Sequence, residues 1–278
     1  MQSFRPGRFN ILPLVIKNIL IINGLFYLAQ KTINGSGVNM EDLFALHYIG
    51  SPLFKPWQFL THMFMHDPDN IMHLIGNMFA LWMFGSILES TWGPKRFLFF
   101  YLICGLGASA LHMGFLWYDL NHLQQTFFVF EAHPTYNLFL ELYQKYNLAA
   151  HIPQAADLAG ADIWKNNTQD PNLGRYATAI IDKYVQAKFN EPTLGASGAV
   201  FGVLTAFAYL FPNTYLYVYF FVPIKAKWVI LIYIGMELFF ALRNTAGDNV
   251  ARWAHLGGAL FGFIIVFIWN KTNRKRFY

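Results

Sequence analysis

Cysteine is nearly absent. Cys104 stands alone among 278 residues, so no intramolecular disulfide holds the chain and cysteine usage says nothing about the redox compartment. A small apolar core residue is the ordinary role for such a side chain. Charge is scarce too: Asp, Glu, Lys and Arg make up 13% of the chain against 55% apolar residues, which excludes an ordinary soluble domain. There is no basic stripe with interleaved aromatics in a polar stretch, so the net charge of +5 does not point to nucleic acid. The first apolar run is not followed by a small-residue cleavage site and reads as an anchor, not a removed signal. No internal repeat suggests the paired halves of many transporters. His62 and His66 lie four apart with Asp67 and Asp69 nearby, but no further ligand completes a metal set. They read as loop histidines hydrogen-bonded to backbone.

Long apolar runs are what the chain has. Six of them, 11–30, 70–88, 94–117, 193–211, 227–242 and 252–269, are near the ~20 residues that cross a bilayer as a helix. Lys17 in the first can snorkel to the headgroups. The expected fold is an all-α membrane protein, a bundle of six transmembrane helices. With the N-terminus inside, Arg5, Arg8, Lys17, Lys95, Arg96, Lys225, Lys227, Lys271, Arg274, Lys275 and Arg276 all lie on the inner side, opposed only by Glu89. The bias of basic residues to inner segments therefore favours N-in, C-in.

Two segments interrupt the bundle. The loop 31–69 is aromatic, with Phe44, Tyr48, Phe54, Trp57, Phe59 and Phe64. It reads as lying in the membrane interface, as packing on the helices, or as both. Residues 118–192 are polar and form an expected extramembrane helical insertion between the third and fourth spans, dividing the chain into 1–117, 118–192 and 193–278. Within it, 135–146 and 174–189 have helical spacing, and 166–174 reads as a loop broken by Pro171 and Gly174. Later, 215–223 alternates aromatic and β-branched residues, and 243–250 is a short polar loop placed to gate a site.

Spans two, four and six run in the same direction. His73, Ser197 and His255 each lie about 5 Å below the start of one of them at ~1.5 Å rise per residue. Asn77 shares a helical face with His73. Polar groups at membrane depth are costly and mark functional cavities. Gly198 and Gly202 after the serine, and Gly258 and Gly262 after the histidine, are spaced for close helix packing. The chemistry these residues fit is nucleophilic acyl transfer: His255 as the base that takes the Ser197 proton and returns it to the leaving amine. The Ser197 N–H, His73 and Asn77 are candidate oxyanion donors, while Gly195 and Gly198 clear space for a substrate backbone. No acid lies near these levels on the three helices, so a Ser–His dyad without a carboxylate is expected. Asp248 reads as a loop charge and Glu237, in span five, as structural.

Gly195-x-Ser197-Gly198, His73-x-x-x-Asn77 and Ala254-His255-x-x-Gly258-x-x-x-Gly262, in this order on spans two, four and six, resemble the signature set of rhomboid intramembrane serine proteases. Glu89-x-x-x-Gly93 resembles the family's cytoplasmic turn. The resemblance implies six helices around a water-accessible cavity and hydrolysis of a peptide bond in or near a substrate's transmembrane segment. It also implies Ser197 as nucleophile, His255 as base, and His73 and Asn77 at the oxyanion hole. No metal or organic cofactor is expected, and the partners are transmembrane substrates and the lipid bilayer. Trp57-Gln58 stands where the family often has Trp-Arg, which bears on how the first loop is anchored. The compact six-span form suggests a bacterial inner membrane. The rivals are a non-catalytic rhomboid-like binder of membrane clients and, less well supported, a small transporter.

Overall fold

Glu89 sets the start of the first helix. Its two carboxylate oxygens accept from the backbone N–H groups of Val15 and Ile16, each at 2.9 Å. Helix α1 (Leu14–Ile33) thereby has two of its unpaired N-terminal donors satisfied by a negative charge. The structure is a computed structural model describing residues 11–33, 37–218, 221–243 and 251–272. Glu89 is buried, so Glu89→Ala leaves two donors without water or partner. We expect a loss of about 3–5 kcal/mol, read as a lower midpoint of SDS-induced unfolding.

Two short helices, α2 (Met40–Phe44) and α3 (Gln58–Thr61), shape the first loop, and Gln58 holds it. Its Oε1 accepts from the N–H groups of His47 and Lys55, and its Nε2 donates to the carbonyls of Asp42 and Leu53. The Trp57 indole donates to the Leu43 carbonyl. A neutral amide, with two donors and an accepting oxygen, does here what a charged guanidinium could not, since Arg accepts nothing. Gln58→Ala takes the partner from four backbone groups, one of them on buried His47 and the others half-buried, and is expected to cost about 1–3 kcal/mol, measurable as a lower melting temperature. The loop packs on the rest of the chain, with Tyr48 buried edge-on against Phe189, while Leu43, Trp57 and Leu60 are exposed.

Next, α4 (Ile71–Ala80), a π-turn at Leu81–Gly85 and α5 (Ser86–Trp92) form one continuous helix. It ends at Gly93, whose φ of +81° suits glycine. Pro94 then opens α6 (Pro94–Ala132), where a missing N–H is harmless. At 39 residues, α6 is about 58 Å long, nearly twice a hydrocarbon core of about 30 Å. The expected boundary at residue 118 falls inside this helix, because 118–132 contains neither Gly nor Pro to stop it.

Beyond α6 come α7 (Tyr136–Lys145), α8 (Leu148–His151), α9 (Gln154–Ala159), α10 (Asp162–Asn166) and α11 (Pro171–Phe189). Thr135 caps α7, and Asp170 caps α11 by accepting from the N–H groups of Asn172 and Leu173. Pro171 is thus the first residue of a helix and not a loop breaker, and the expected loop 166–174 shrinks accordingly. Trp164, Phe139 and Phe130 centre a hydrophobic core in this part of the chain, with Leu46, Tyr48 and Met113 joining it.

Helix α12 (Ser197–Leu210) leads to a hairpin of β1 (Tyr215–Val218) and β2 (Val222–Lys225), antiparallel with Tyr215 opposite Lys225. The all-α expectation is corrected here: alternating aromatic and β-branched residues favour a pleated ribbon. Helices α13 (Ala226–Arg243) and α14 (Arg252–Thr272) complete the chain. Helices α1, α4–α5, α6 and α14 are long and apolar enough to cross a membrane, which makes this an integral membrane protein. Helix α12 has only 14 residues, and α13 carries Lys227, Glu237 and Arg243.

Glycines decide how α12 and α14 meet. A Cβ on Gly258 would overlap the carbonyl oxygen of Gly198, and one on Gly262 would lie 2.7 Å from the Cα of Gly202. Cys104 fills the space beside Gly202 as a buried apolar residue. Backbone therefore packs on backbone, as small-residue seams permit.

Candidate active site

The seam brings the first residue of α12 to the first turns of α14. Ser197 Oγ lies 2.8 Å from His255 Nε2. His255 is buried and Ser197 only partly so. Phe201, one turn after Ser197, stacks on the imidazole with ring centroids 4.4 Å apart and planes 10° apart. Tyr233 of α13 packs on Phe201 in turn, 4.8 Å between centroids.

Gly195 precedes the serine with a φ of +128°, a conformation L side chains rarely adopt. It donates to the His62 carbonyl at 3.0 Å. A Cβ there would lie 3.1 Å from His73 Nε2 and 3.5 Å from Ser197 Oγ. Bare backbone at this position thus leaves the His73 ring edge and the serine hydroxyl facing the same small space. A recess beside it is lined by His62, Thr193, Ser197 and Ala254. Asn77 is placed differently: its Nδ2 donates to the His73 carbonyl one turn earlier at 3.0 Å, leaving one amide hydrogen for the site.

An acid reaches the histidine. Glu237 Oε2 lies 3.0 Å from His255 Nδ1 and accepts from Arg252 Nη1 at 3.3 Å. The expectation that no acid lies near the serine and the histidine is corrected by this contact, which pairs the buried Glu237 carboxylate with His255 and Arg252. The acid comes from α13, which runs opposite to the three helices that carry the other residues. Its level is therefore counted back from its C-terminal end, where Glu237 stands two turns before Arg243. A buried carboxylate in an apolar span signals a partner, but not which one. Asp248 and most of the loop 243–250 lie outside the described residues.

The loop histidines separate. His62 Nδ1 contacts the Gln58 carbonyl at 2.9 Å and Nε2 the Ser109 hydroxyl at 3.2 Å, and burial pushes its pKa down to about 4. His66 has no ring hydrogen bond among the described residues, lies 5.2 Å from the His73 ring, and is pushed down to about 3, chiefly by burial. The backbone-bonded reading therefore holds for His62. His112, unassigned in the sequence, meets the Thr193 hydroxyl at 2.9 Å. Among the described residues no three His, Cys, Asp or Glu side chains converge on a metal position.

The profile of the Rhomboid domain matches residues 54–123 and 172–272. RHOMBOID-like protein 12, mitochondrial, of Arabidopsis thaliana is 27% identical over 219 residues, covering 78% of this chain and 47% of that protein. An uncharacterized mitochondrial rhomboid protein of Schizosaccharomyces pombe is 25% identical over 287 residues, 96% of this chain and 69% of its own length. Rhomboid protease GluP of Bacillus subtilis is 35% identical over 88 residues, 31% of this chain and 17% of that protein. The chain thus spans less than half the length of the plant relative it resembles.

Proposed function

The chain belongs to the rhomboid family, and on that premise we propose that it is an intramembrane serine endopeptidase. It hydrolyses peptide bonds in or near transmembrane segments of membrane-protein substrates. The observation that carries the reading is the 2.8 Å contact between Ser197 Oγ and His255 Nε2. A serine hydroxyl is a weak nucleophile until a base takes its proton. In this reading His255 Nε2 takes that proton as Ser197 Oγ attacks the scissile carbonyl, and returns it to the amine as the C–N bond breaks. Water then repeats the sequence on the acyl-enzyme.

Oxyanion stabilisation is assigned to the Ser197 N–H, to His73 and to the remaining amide hydrogen of Asn77. The positive φ of Gly195 and its lack of a side chain support this, since they leave open the space between His73 and Ser197. Gly198 lines the recess beside Ser197, which supports its substrate-approach role, and it also belongs to the helix seam, since a Cβ on it would meet Ala108 and the Ala254 carbonyl.

Six membrane passes, N-in and C-in, with 118–192 as an extramembrane insertion, are part of the same proposal. Supporting it are the coincidence of α1, α4–α5, α6, α12, α13 and α14 with the six apolar runs and the separate core of α7–α11. The domain profile also leaves 124–171 unmatched. Lateral substrate entry past α13 is supported by its exposed apolar side chains, Trp228, Leu231, Met236 and Phe239 among them. The relatives do not support a bacterial inner membrane in particular, since two of the three named above are mitochondrial by name.

The test is cleavage of a single-span substrate by purified protein, wild type against Ser197→Ala. Equal cleavage by both removes Ser197 from the reaction. Cleavage by neither, across several substrates, shifts the assignment to a client-binding protein.

A further inference from the structure

Resting on the protease reading, we propose that Glu237 is a positioning residue that completes a Ser197–His255–Glu237 relay. The hydrogen-bond chemistry of the imidazole leads there. An ionised carboxylate only accepts, so the 3.0 Å contact between Glu237 Oε2 and His255 Nδ1 requires the proton on Nδ1. A neutral imidazole then has Nε2 free to accept, and Nε2 is the atom 2.8 Å from the Ser197 hydroxyl. The carboxylate thus selects the one neutral tautomer in which His255 can act as base toward Ser197. Without it, nothing in the 2.8 Å contact prevents the opposite tautomer, with Nε2–H donating to the serine oxygen.

The same contact stabilises the charged intermediate. When Ser197 Oγ attacks, its proton moves to Nε2 and His255 becomes an imidazolium beside the Glu237 carboxylate. Nδ1 keeps its proton and Glu237 stays ionised throughout. The proton on Nε2 leaves with the departing amine. The Arg252 guanidinium, 3.3 Å from the same Oε2, favours the ionised carboxylate and also restrains its orientation. Stacked Phe201 limits the ring to rotation in its own plane, so the acid and the serine, on opposite nitrogens, hold it from both ends.

Four helices bring charged or titratable groups to this relay. Glu237 and Tyr233 lie on α13, Arg252 on α14, and His73 and His112 approach His255 from α4 and α6. Glu237 is the anion in contact with His255 Nδ1, so Glu237→Gln removes the charge that stabilises the imidazolium formed as Ser197 attacks, and the rate falls.

The experiment uses the full chain, reconstituted in liposomes with a single-span substrate, and compares wild type, Glu237→Gln and Glu237→Asp. We expect Glu237→Gln to lower kcat on the order of 10²–10⁴-fold with little change in KM. Glu237→Asp, which keeps the carboxylate, should recover part of the rate. Wild-type kcat in Glu237→Gln would overturn the proposal, as would equal loss in both variants. Nitrogen-15 NMR of histidine-labelled wild type, assigned by the signal lost in His255→Ala, gives an answer that needs no folded Glu237 variant. An Nδ1–H tautomer supports the relay and an Nε2–H tautomer sinks it. Failure of the protease reading is distinguishable: wild type would cleave no substrate and leave Ser197 unlabelled by a fluorophosphonate.

Discussion

Ser197→Ala is expected to lower cleavage of a single-span substrate by a factor on the order of 10⁴ or more, and His255→Ala by a similar factor. The double variant should be no slower than either single one. This non-additivity follows from the 2.8 Å contact: a serine without its base and a base without its serine forfeit the same step. Residual turnover, if any, would come from substrate positioning and the donors around His73. Steady-state kinetics on all three variants, with substrate binding measured separately, checks the expectation. Losses that multiply in the double variant would mean that the two residues act independently and would break the proposed pairing.

Gly258→Ala is the second large effect. A methyl group at this position meets the carbonyl of Gly198, and neither partner is a side chain that can turn away. Relief requires α12 and α14 to move apart, which disturbs the whole seam and draws Ser197 from His255. We expect a loss of about 3 kcal/mol or more, seen as a lower unfolding midpoint, together with a large fall in kcat. Gly114→Ala is the control. It sits in α6 with no heavy atom near the added Cβ, and should be neutral or stabilising by about 0.5–1 kcal/mol. If both substitutions behaved alike, helix propensity and not backbone contact would govern Gly258.

Much of the helical framework was legible because membrane helices are written in local terms. Apolar runs and Pro94 after Gly93 mark where helices start and stop, using groups within a few residues of one another; Asp170 before Pro171 carries a signal of the same kind, although the proline reads first as a loop breaker. The hairpin 215–225 was half-legible: its alternation was visible, but pairing needed the turn. The extension of α6 past residue 118 is not legible from polarity, which marks where an apolar run ends and not where its helix stops.

For the site, residue order and spacing placed His73, Ser197 and His255 at one level, since three helices of the same direction can be compared by counting residues. Counting could not reach Glu237. Its distance from His255 depends on an antiparallel helix and on the rotation of each helix about its axis. Gln58 is a similar case, with four backbone partners drawn from 42–55 that no spacing rule predicts.

Local pattern alone makes readable most of the helical segments, the long apolar runs, and the residue types that could carry acyl transfer. Only the tertiary structure decided that Gly198 and Gly258 touch, that Ser197 thereby meets His255, and that Glu237 stands behind the histidine. The physical reason is the range of the interactions. Helix formation and apolar burial are read over a few turns, whereas a hydrogen bond tolerates errors of only a few tenths of an ångström. That precision exists only once the helices have packed.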